Sequence, residues 1–414
     1  MRVVLDIKFI RQNPKLVEEK AKQKGYDVDI DKLLKVDEDR RKLIEEVDKV
    51  RSERKKAAEA RDEKKGQQLK KELKEKENLL EKAHEEFYLL IREIPNLAAD
   101  DALIGKDESE NKVVKQVGQA KKFDFHPRDH LQLGTALDIL DFENGAKVAG
   151  SGFYYLKNEG ARLELALVNY GIDFLIKKGF APVITPDLAR AKFYEGTGYL
   201  PRGPEAQTYM IADSDLGLIA TAEVTLAGLH TEETLSEKDL PRKYAGYSHC
   251  FRKESGSYGK YSKGLYRVHQ FTKVEMYIYC QPDDSNKMHQ ELLETEKEFF
   301  SSLEIPYRVV EMCTGDLGSQ ASKKFDLEAW MPGRGDWGEI TSTSNTTDYQ
   351  ARRLNIRYKK GNSTEYVHTL NGTLMATSRT LIAILENYQA KDGSILIPKA
   401  LQKYTGFAKI PSKI

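Results

Sequence analysis

The strongest constraint on the fold is a pair of heptad patterns in the N-terminal quarter of the chain. In the first, seam positions recur every three and four residues: Leu33, Val36, Arg40, Leu43, Val47, Val50, Arg54 and Ala57. The second run has the same spacing: Leu69, Leu73, Lys76, Leu80, Ala83, Phe87, Leu90 and Ile94. Such spacing is typical of a coiled-coil seam. Because Gly66 separates the runs and Pro95 ends the second, the pattern predicts an antiparallel helical hairpin over about 28–94 with its turn near Gly66.

Charge along the predicted hairpin is high and uneven. Residues 31–90 contain 18 basic and 17 acidic residues, so 35 of 60 positions are charged, against 32% of the whole chain. Such a hairpin buries only its seam, and at 1.5 Å per residue we expect each arm to reach roughly 45–55 Å from the rest of the chain. Residues 51–76 carry 11 basic and 6 acidic residues, a net charge of +5. Two interpretations stay open for this basic end: a polyanion-binding site or a solvated coiled-coil surface.

Overall composition excludes several classes of protein. The 414 residues include 66 basic and 65 acidic side chains, with a mean hydropathy of −0.60. A nearly neutral chain is not a general nucleic-acid coat, and no DNA partner is expected. No stretch approaches the ~18 apolar residues of a membrane span, and the N-terminus shows no secretory signal. The widely spaced Cys250, Cys280 and Cys313 predict neither a disulfide scaffold nor a zinc site, and indicate a cytoplasmic location.

Composition changes along the chain predict three segments. Residues 1–100 form an N-terminal domain that contains the hairpin, and the polar residues 101–122 read as a linker with a short strand. Residues 123–414 alternate helical patterns with strand-like runs, several of which follow one another without a crossover helix. An antiparallel sheet flanked by helices satisfies that order, so the fold class is predicted as α+β.

The first cluster of candidate functional residues lies in a strand–loop–strand segment. Arg252 and Glu254 stand two positions apart at the end of an apolar run, hence on one face of a strand. A flexible Gly- and Lys-rich stretch follows, and residues 265–275 return as a second strand. Arginine suits a bidentate contact with phosphate or carboxylate. A surface ion pair on a hairpin remains the alternative.

Two further clusters lie later in the chain. Residues 372–379 form a Gly-, Thr- and Ser-rich entrance to a helix, with Arg379 at its start. This arrangement suits anion binding, although ordinary N-capping by Thr377 or Ser378 is the alternative. Residues 338–345 place Glu339 among hydroxyl side chains, which could hold a hard cation through oxygen ligands or simply form a polar loop.

Taken in order along one chain, these segments resemble the seryl-tRNA synthetase family of class II aminoacyl-tRNA synthetases over essentially the whole length. The resemblance rests on five parts of the sequence: the hairpin, the motif 1 helix and strand at 161–186, the serine-loop triplet 221–223, the motif 2 hairpin at 251–271 with Val274-Glu275 after it, and motif 3 at 372–379. The ordered set is much more specific than any single motif. It implies a class II catalytic domain with an antiparallel sheet, preceded by a tRNA-binding coiled-coil arm.

The resemblance also implies the reaction and its residues. Serine and ATP give seryl-adenylate and pyrophosphate, and the seryl group then passes to the 3′ end of tRNA(Ser); charging of selenocysteine tRNA stays open. Arg252 and Arg379 are the implied catalytic residues. The implied serine-binding residues are Thr221, Ala222, Glu223, Arg252, Glu275, Asn371 and Thr373. The implied ATP-binding residues are Arg252, Lys253, Glu254, Val268, Phe271, Glu339, Ile340, Thr341, Ser342 and Arg379. Glu339 and Ser342 are implied ligands of Mg²⁺, and no zinc is expected.

The implied partners follow the same resemblance. The basic end of the hairpin would contact tRNA through outward-facing residues: Arg51, Lys55, Arg61, Lys64, Lys70 and Lys74. A two-fold homodimer is implied through the motif 1 helix, with Leu163, Leu167, Ile172 and Leu175 among its apolar positions, although a simple core helix is the alternative. Two other functions stay open: a paralogue that loads a carrier protein, and one that binds RNA without catalysis.

Overall fold

The computed structural model describes residues 5–199, 207–254 and 264–411, and the chain divides into two units, Met1–Ala98 and Ala99–Ile414. The α-helices are α1 Ile7–Gln12, α2 Pro14–Gln23, α3 Ile30–Glu59, α4 Glu63–Glu93, α5 His130–Ala136, α6 Phe142–Ala149, α7 Asn158–Lys177, α8 Ala191–Thr197, α9 Glu223–Gly228, α10 Ser285–Ser302, α11 Tyr349–Leu354, α12 Thr377–Asn387 and α13 Lys399–Thr405. The strands are β1 Lys112–Val117, β2 Leu140–Asp141, β3 Tyr155–Leu156, β4 Ala181–Ile184, β5 Leu188–Arg190, β6 Leu216–Leu218, β7 Thr234–Ser236, β8 Arg242–Phe251, β9 Gln270–Cys280, β10 Tyr307–Glu311, β11 Lys323–Met331, β12 Asp336–Thr347, β13 Arg357–Lys360, β14 Ser363–Tyr366, β15 His368–Ala376, β16 Ile395–Leu396 and β17 Lys409–Ile410.

The N-terminal unit contains the predicted helical hairpin. Helices α3 and α4 run 30 and 31 residues and pack along their length. The distal seam is apolar and buried: Val47, Val50, Ala57, Leu69 and Leu73. Since the buried positions follow the heptad spacing, the predicted hairpin is confirmed.

The turn of the hairpin lies earlier than the sequence suggested. Helix α3 ends before Ala60, Arg61 adopts φ +55°, and the Asp62 carboxylate accepts a hydrogen bond from the Lys65 N–H at 3.0 Å. This cap starts α4 three residues before Gly66, which lies inside the helix. The predicted turn near Gly66 is therefore wrong, because one helical glycine costs only about 1 kcal/mol whereas an aspartate cap begins a helix at once.

A buried charge interrupts the seam near the base of the hairpin. Asp37 is 0% exposed and pairs with Arg11 at 2.6 Å and with Arg40 at 2.8 Å. The Arg40 guanidinium also lies 4.4 Å from the centre of the Phe87 ring. The arginine in the heptad pattern is thus accommodated by a carboxylate and an aromatic face rather than by apolar neighbours.

The second unit is built on an eight-stranded sheet in the order β1-β10-β11-β12-β15-β9-β8-β4. Adjacent strands are antiparallel except β4, which pairs in parallel with β8. Helices α7, α10 and α12 contribute to one large apolar core with the strands. The predicted α+β class is confirmed.

The segment predicted as a linker, 101–122, belongs to this sheet. Its strand β1 pairs with β10, with Val117 opposite Tyr307 and Lys112 opposite Glu311. The short strand predicted here is present as β1, a largely exposed edge strand. The predicted linker is wrong, because the segment pairs into the sheet of the second unit instead of joining two units.

Candidate active site

The residues just after β8, strands β9, β12 and β15 and the start of α12 enclose a cleft with an empty volume of ≈460 Å³ including its open mouth. Nine of the predicted serine- and ATP-site residues line it: Arg252, Glu254, Val268, Phe271, Glu339, Ile340, Thr341, Thr373 and Arg379. The sheet therefore brings together side chains that lie more than 100 positions apart in sequence.

Arg252 lies directly after the last residue of β8. Its N–H donates to the His269 carbonyl at 3.0 Å, which extends the pairing of β8 with β9 by one residue. The guanidinium lies 5.3 Å from the centre of the Phe271 ring. Phe271 is nearly buried and packs with Cys250, Val268 and Ala376, so the arginine rests on a fixed aromatic surface.

A second arginine enters the cleft from the first turn of α12. Arg379 contacts the Glu339 carboxylate at 3.0 Å, and its guanidinium lies 4.7 Å from the centre of the Tyr266 ring. Burial alone would raise the pKa of Glu339, but the facing Arg379 guanidinium and Lys324 reverse this and hold that pKa below its usual range. Tyr266 was not predicted; no spacing in the sequence distinguishes it.

The predicted metal ligands Glu339 and Ser342 both lie on β12, beside a carboxylate that sequence reasoning missed. Ser342 stands opposite Asp326 on β11. Burial raises the pKa of Asp326. Its Oδ1 atom is buried without a hydrogen bond and lies 3.6 Å from the Lys324 ammonium. Within the described ranges no group of three or more His, Cys, Asp or Glu side chains is assembled to hold a metal ion by itself.

A second group of polar residues lies on the central strands β9 and β15. Glu275 stands opposite Thr373 in the strand pairing, and the Thr373 hydroxyl donates to the Glu275 carboxylate at 3.4 Å. Lys273, two residues before Glu275 on the same face, pairs with that carboxylate. Lys273 was not predicted, although its two-residue spacing from Glu275 on a strand was a signal for it.

Glu223, the first residue of α9, is 2% exposed and receives three hydrogen bonds. Its donors are Tyr199 at 2.9 Å, Gln350 at 2.7 Å and Asn371 at 2.9 Å. Burial, and then the nearby negative charge of Glu275, raise the pKa of Glu223 to about 7. Tyr199 and Gln350 lie far from any motif in sequence and were missed.

Other predicted residues take supporting positions. The Thr221 hydroxyl accepts from the Glu223 N–H at 3.2 Å, which fixes the start of α9. The Ala222 side chain is buried in a core cluster with Leu226, so only its backbone is left for a ligand. The exposed Lys253 does not line the cleft, and Glu254 pairs with Arg267 at 3.3 Å.

The candidate tRNA-binding side chains of the hairpin are all solvent-exposed: Arg51, Lys55, Arg61, Lys64, Lys70 and Lys74. Arg51 is partly engaged, since it pairs with Glu77 on α4 at 2.8 Å. Arg54, at a heptad position, is also exposed rather than buried in the seam. Over the described residues, no helix combines the length and apolar character required to cross a membrane.

Two family profiles match separate parts of the chain. The seryl-tRNA synthetase N-terminal domain matches residues 4–98, and the tRNA synthetase class II core domain (G, H, P, S and T) matches residues 209–388. The first match ends at residue 98, which is also the last residue of the N-terminal unit.

Full-length relatives agree with both profiles. The serine–tRNA ligase of Dictyoglomus thermophilum is 53% identical over 99% of this chain and 100% of its own, and that of Rubrobacter xylanophilus is 49% identical over 97% and 98%. The crystal structure of seryl-tRNA synthetase from Pyrococcus horikoshii complexed with ATP has a TM-score of 0.91 at 41% identity, over 99% of this chain and 100% of that one. Identity of this extent, over both units, shows that the chain belongs to the serine–tRNA ligase family and is a class II aminoacyl-tRNA synthetase.

Proposed function

We propose that this serine–tRNA ligase activates L-serine with ATP in the cleft and transfers the seryl group to tRNA(Ser) bound through the hairpin. In the first step a serine carboxylate oxygen bonds to the α-phosphorus of ATP, and the bond from that phosphorus to the pyrophosphate oxygen breaks. In the second, the hydroxyl of the terminal adenosine attacks the seryl carbonyl carbon and AMP leaves. Neither step demands a strong base; both demand alignment and stabilisation of negative charge.

The observation that carries this proposal is the convergence of two arginines on one cleft that also contains carboxylates. Arg252 lines the same cleft as Glu339 and Thr373, where it can bridge the serine carboxylate and the α-phosphate. Arg379 reaches the cleft from a helix start, where it can hold the γ-phosphate. Phe271 and Val268 offer an apolar surface for adenine, with Glu254 at its edge. An arginine fork fits phosphate and carboxylate geometry better than a lysine would.

The polar groups on β9 and β15 support selection of serine. The Thr373 hydroxyl and the Glu275 carboxylate can pair with a substrate hydroxyl, and alanine would leave them without that partner. A site built to pair with a hydroxyl discriminates strongly against an analogue that lacks it. Glu223 and Asn371 are buried and do not line the cleft. They are joined by a hydrogen bond of 2.9 Å, and the Glu223 carboxylate is suited to the substrate ammonium group.

The side chains beside β12 fit a magnesium ion. Glu339, the hydroxyl of Ser342 and the Oδ1 atom of Asp326, which has no hydrogen bond but lies 3.6 Å from the Lys324 ammonium, form an all-oxygen donor set, which is the chemistry that Mg²⁺ prefers. Bound there, the ion would neutralise phosphate charge. Glu339→Gln should raise the magnesium concentration needed for half-maximal pyrophosphate exchange. An unchanged magnesium titration in that variant would exclude Glu339 as a ligand.

We propose a homodimer through a different set of side chains than the sequence suggested. Leu163, Leu167 and Leu175 of α7 are 0% exposed inside the same chain, so they serve the core. Leu165 on α7 and Ile184 on β4 are 61% and 82% exposed instead. Light scattering at micromolar concentration should give twice the chain mass, and a fully active monomer would contradict the proposal.

The experiment that tests the whole proposal measures two activities on one preparation. Serine-dependent ATP–pyrophosphate exchange reports activation, and charging of purified tRNA(Ser) reports transfer. The same charging assay with selenocysteine tRNA decides the range of acceptors. Exchange without charging of any tRNA would contradict the transfer step.

A cytoplasmic location is consistent with three free, buried cysteines and is checked by fractionation.

A further inference from the structure

Gln350 is a buried glutamine that does not line the cleft. It lies in the first turn of α11 and is 0% exposed. A side-chain amide removed from water requires partners for both its oxygen and its nitrogen. The contacts that it makes join four separate elements of the catalytic unit.

The neighbours of Gln350 fix which way its amide points. Its Nε2 atom lies 2.7 Å from the Glu223 carboxylate and 3.3 Å from the Thr197 carbonyl oxygen. Both of these are acceptors, so the amide nitrogen must face them. Its Oε1 atom accepts from the hydroxyls of Tyr277 at 2.5 Å and Thr369 at 3.2 Å. Two hydroxyl donors on β9 and β15 therefore hold the amide N–H groups toward Glu223.

Glu223 is fixed at both of its oxygens as a result. One oxygen accepts from Gln350 and from Asn371, and the other accepts from Tyr199. A carboxylate held by three donors has little freedom to turn, which favours binding a cation at one preset position.

We propose that Gln350 is a positioning residue for substrate ammonium binding: it orients the Glu223 carboxylate and keeps it ready to pair with the α-amino group of serine. This inference rests on the proposed serine-binding role of Glu223. Neither Gln350 nor Glu223 is among the residues that line the cleft, and the proposed effect of Gln350 passes through its hydrogen bond to Glu223. A glutamate at 350 would place a second charge against Glu223, and an apolar residue would leave the Thr197 carbonyl and the Tyr277 hydroxyl without their present partner.

The test substitutes Gln350→Met, which keeps the length and bulk of the side chain and removes the amide. Because hydrogen bonds to charged groups are stronger than neutral ones, we expect the KM for serine in pyrophosphate exchange to rise about 10- to 100-fold. The KM for ATP should stay within about twofold, since the ATP side of the cleft has no contact with Gln350.

A matched control is available in the same unit. Gln389 is also a buried glutamine, 4% exposed, with its amide bonded to the backbone of Arg128 and Glu386. None of these residues lines the cleft. Gln389→Met should lower thermal stability to a similar degree as Gln350→Met and leave the serine KM unchanged.

The pH profile adds a readout that loss of packing alone would not move. The Gln350 N–H lowers the pKa of Glu223, so its removal should raise that pKa and shift the pH dependence of serine KM to higher pH. The titratable and charged groups facing Glu223 are Tyr199, Lys273, Glu275 and Tyr277, and all of them are unchanged in the variant.

Tyr277→Phe provides a second route if Gln350→Met fails to fold. It removes the hydrogen bond that orients the amide and should raise the serine KM in the same direction by a smaller factor. A folded Gln350→Met variant with an unchanged serine KM and pH profile overturns the inference. If that variant does not fold, a Tyr277→Phe variant with an unchanged serine KM overturns it. Absence of serine-dependent exchange in the unaltered protein would instead contradict the proposed function.

Discussion

The hairpin and the catalytic sheet bury their interiors with different chemistry. The distal seam between α3 and α4 is made of Val, Leu and Ala side chains, while the strands beside the cleft bury threonines, asparagines and carboxylates. In β12, Thr343 and Thr346 are 0% exposed. Their hydroxyls donate to the carbonyl oxygens of Asn371 and Thr369 at 3.1 and 2.7 Å. The buried apolar residues of the hairpin recur at a regular spacing within each helix. The buried polar residues of the sheet instead need a hydrogen-bond partner on another strand.

This contrast predicts that a change in one unit can abolish its activity without affecting the activity of the other. Deleting about 45–81, with a short linker joining α3 to α4, removes the distal seam and the basic end together. Serine-dependent pyrophosphate exchange should remain near normal, because the cleft residues all belong to the unit 99–414. Charging of tRNA(Ser) should fall by orders of magnitude. Normal charging by a folded deletion variant would show that the hairpin has no role in tRNA binding.

The converse change is Arg252→Ala, which leaves the hairpin untouched. Loss of one preorganised charge partner typically costs ~2.7–4 kcal/mol of transition-state stabilisation, so pyrophosphate exchange should fall about 100- to 1000-fold. Binding of tRNA, measured by filter retention, should not change. Exchange at a normal rate would remove Arg252 from the catalytic role.

The buried carboxylate Glu223 gives the catalytic unit a pH-dependent contribution to stability, and no carboxylate is part of the apolar distal seam of the hairpin. The raised pKa of Glu223, about 7 against an ordinary 4.5, means that the folded state holds the proton more tightly than the unfolded state. That stabilisation is complete below about pH 4.5 and is lost as pH rises through 7. Between pH 4.5 and a pH well above 7, the free energy of unfolding of the wild type should therefore fall by about 3 kcal/mol relative to that of Glu223→Gln, which has no titratable group at this position. A difference in unfolding free energy between the two proteins that is the same at every pH would contradict this.

The smallest effect is expected from charges at the hairpin tip. Replacing Lys55, Lys64, Lys70 and Lys74 with glutamine should weaken tRNA(Ser) binding and reduce its dependence on salt, with the slope falling by somewhat under one for each lost phosphate contact. Helix content should not change, since all four side chains are exposed. Four acidic-to-neutral changes at Glu53, Glu59, Glu63 and Glu75 serve as the control. A salt slope equal to that of the wild type would identify the tip as ordinary solvated surface.

The hairpin could be predicted from sequence because its spacing is local. Heptads report burial within one helix, so Val47 and Leu69 were identified without reference to any partner. Its turn was misplaced because Gly66 is a stronger signal in sequence than the cap formed by Asp62, which depends on backbone geometry.

The cleft could be predicted only in part. Arg252, Arg379 and Glu339 were candidates from their local sequence patterns, each with a structural alternative, and their specific roles followed only from the resemblance to family motifs. The strand β12 resembled a polar loop because its hydroxyls are satisfied by β15, and strand pairing is invisible in one sequence. Gln350, Tyr199 and Asp326 were missed for the same reason: each is defined by the group that it faces.

The position of β1 determines where this chain can be divided. That strand forms one edge of the large sheet and lies after Ala98 in sequence. The backbone passes from the first unit to the second once, and every strand of the sheet comes after that point. The N-terminal unit that contains the hairpin is consequently one continuous segment of the chain. Replacing residues 1–98 with the corresponding part of another ligase would therefore leave every strand of the large sheet in place.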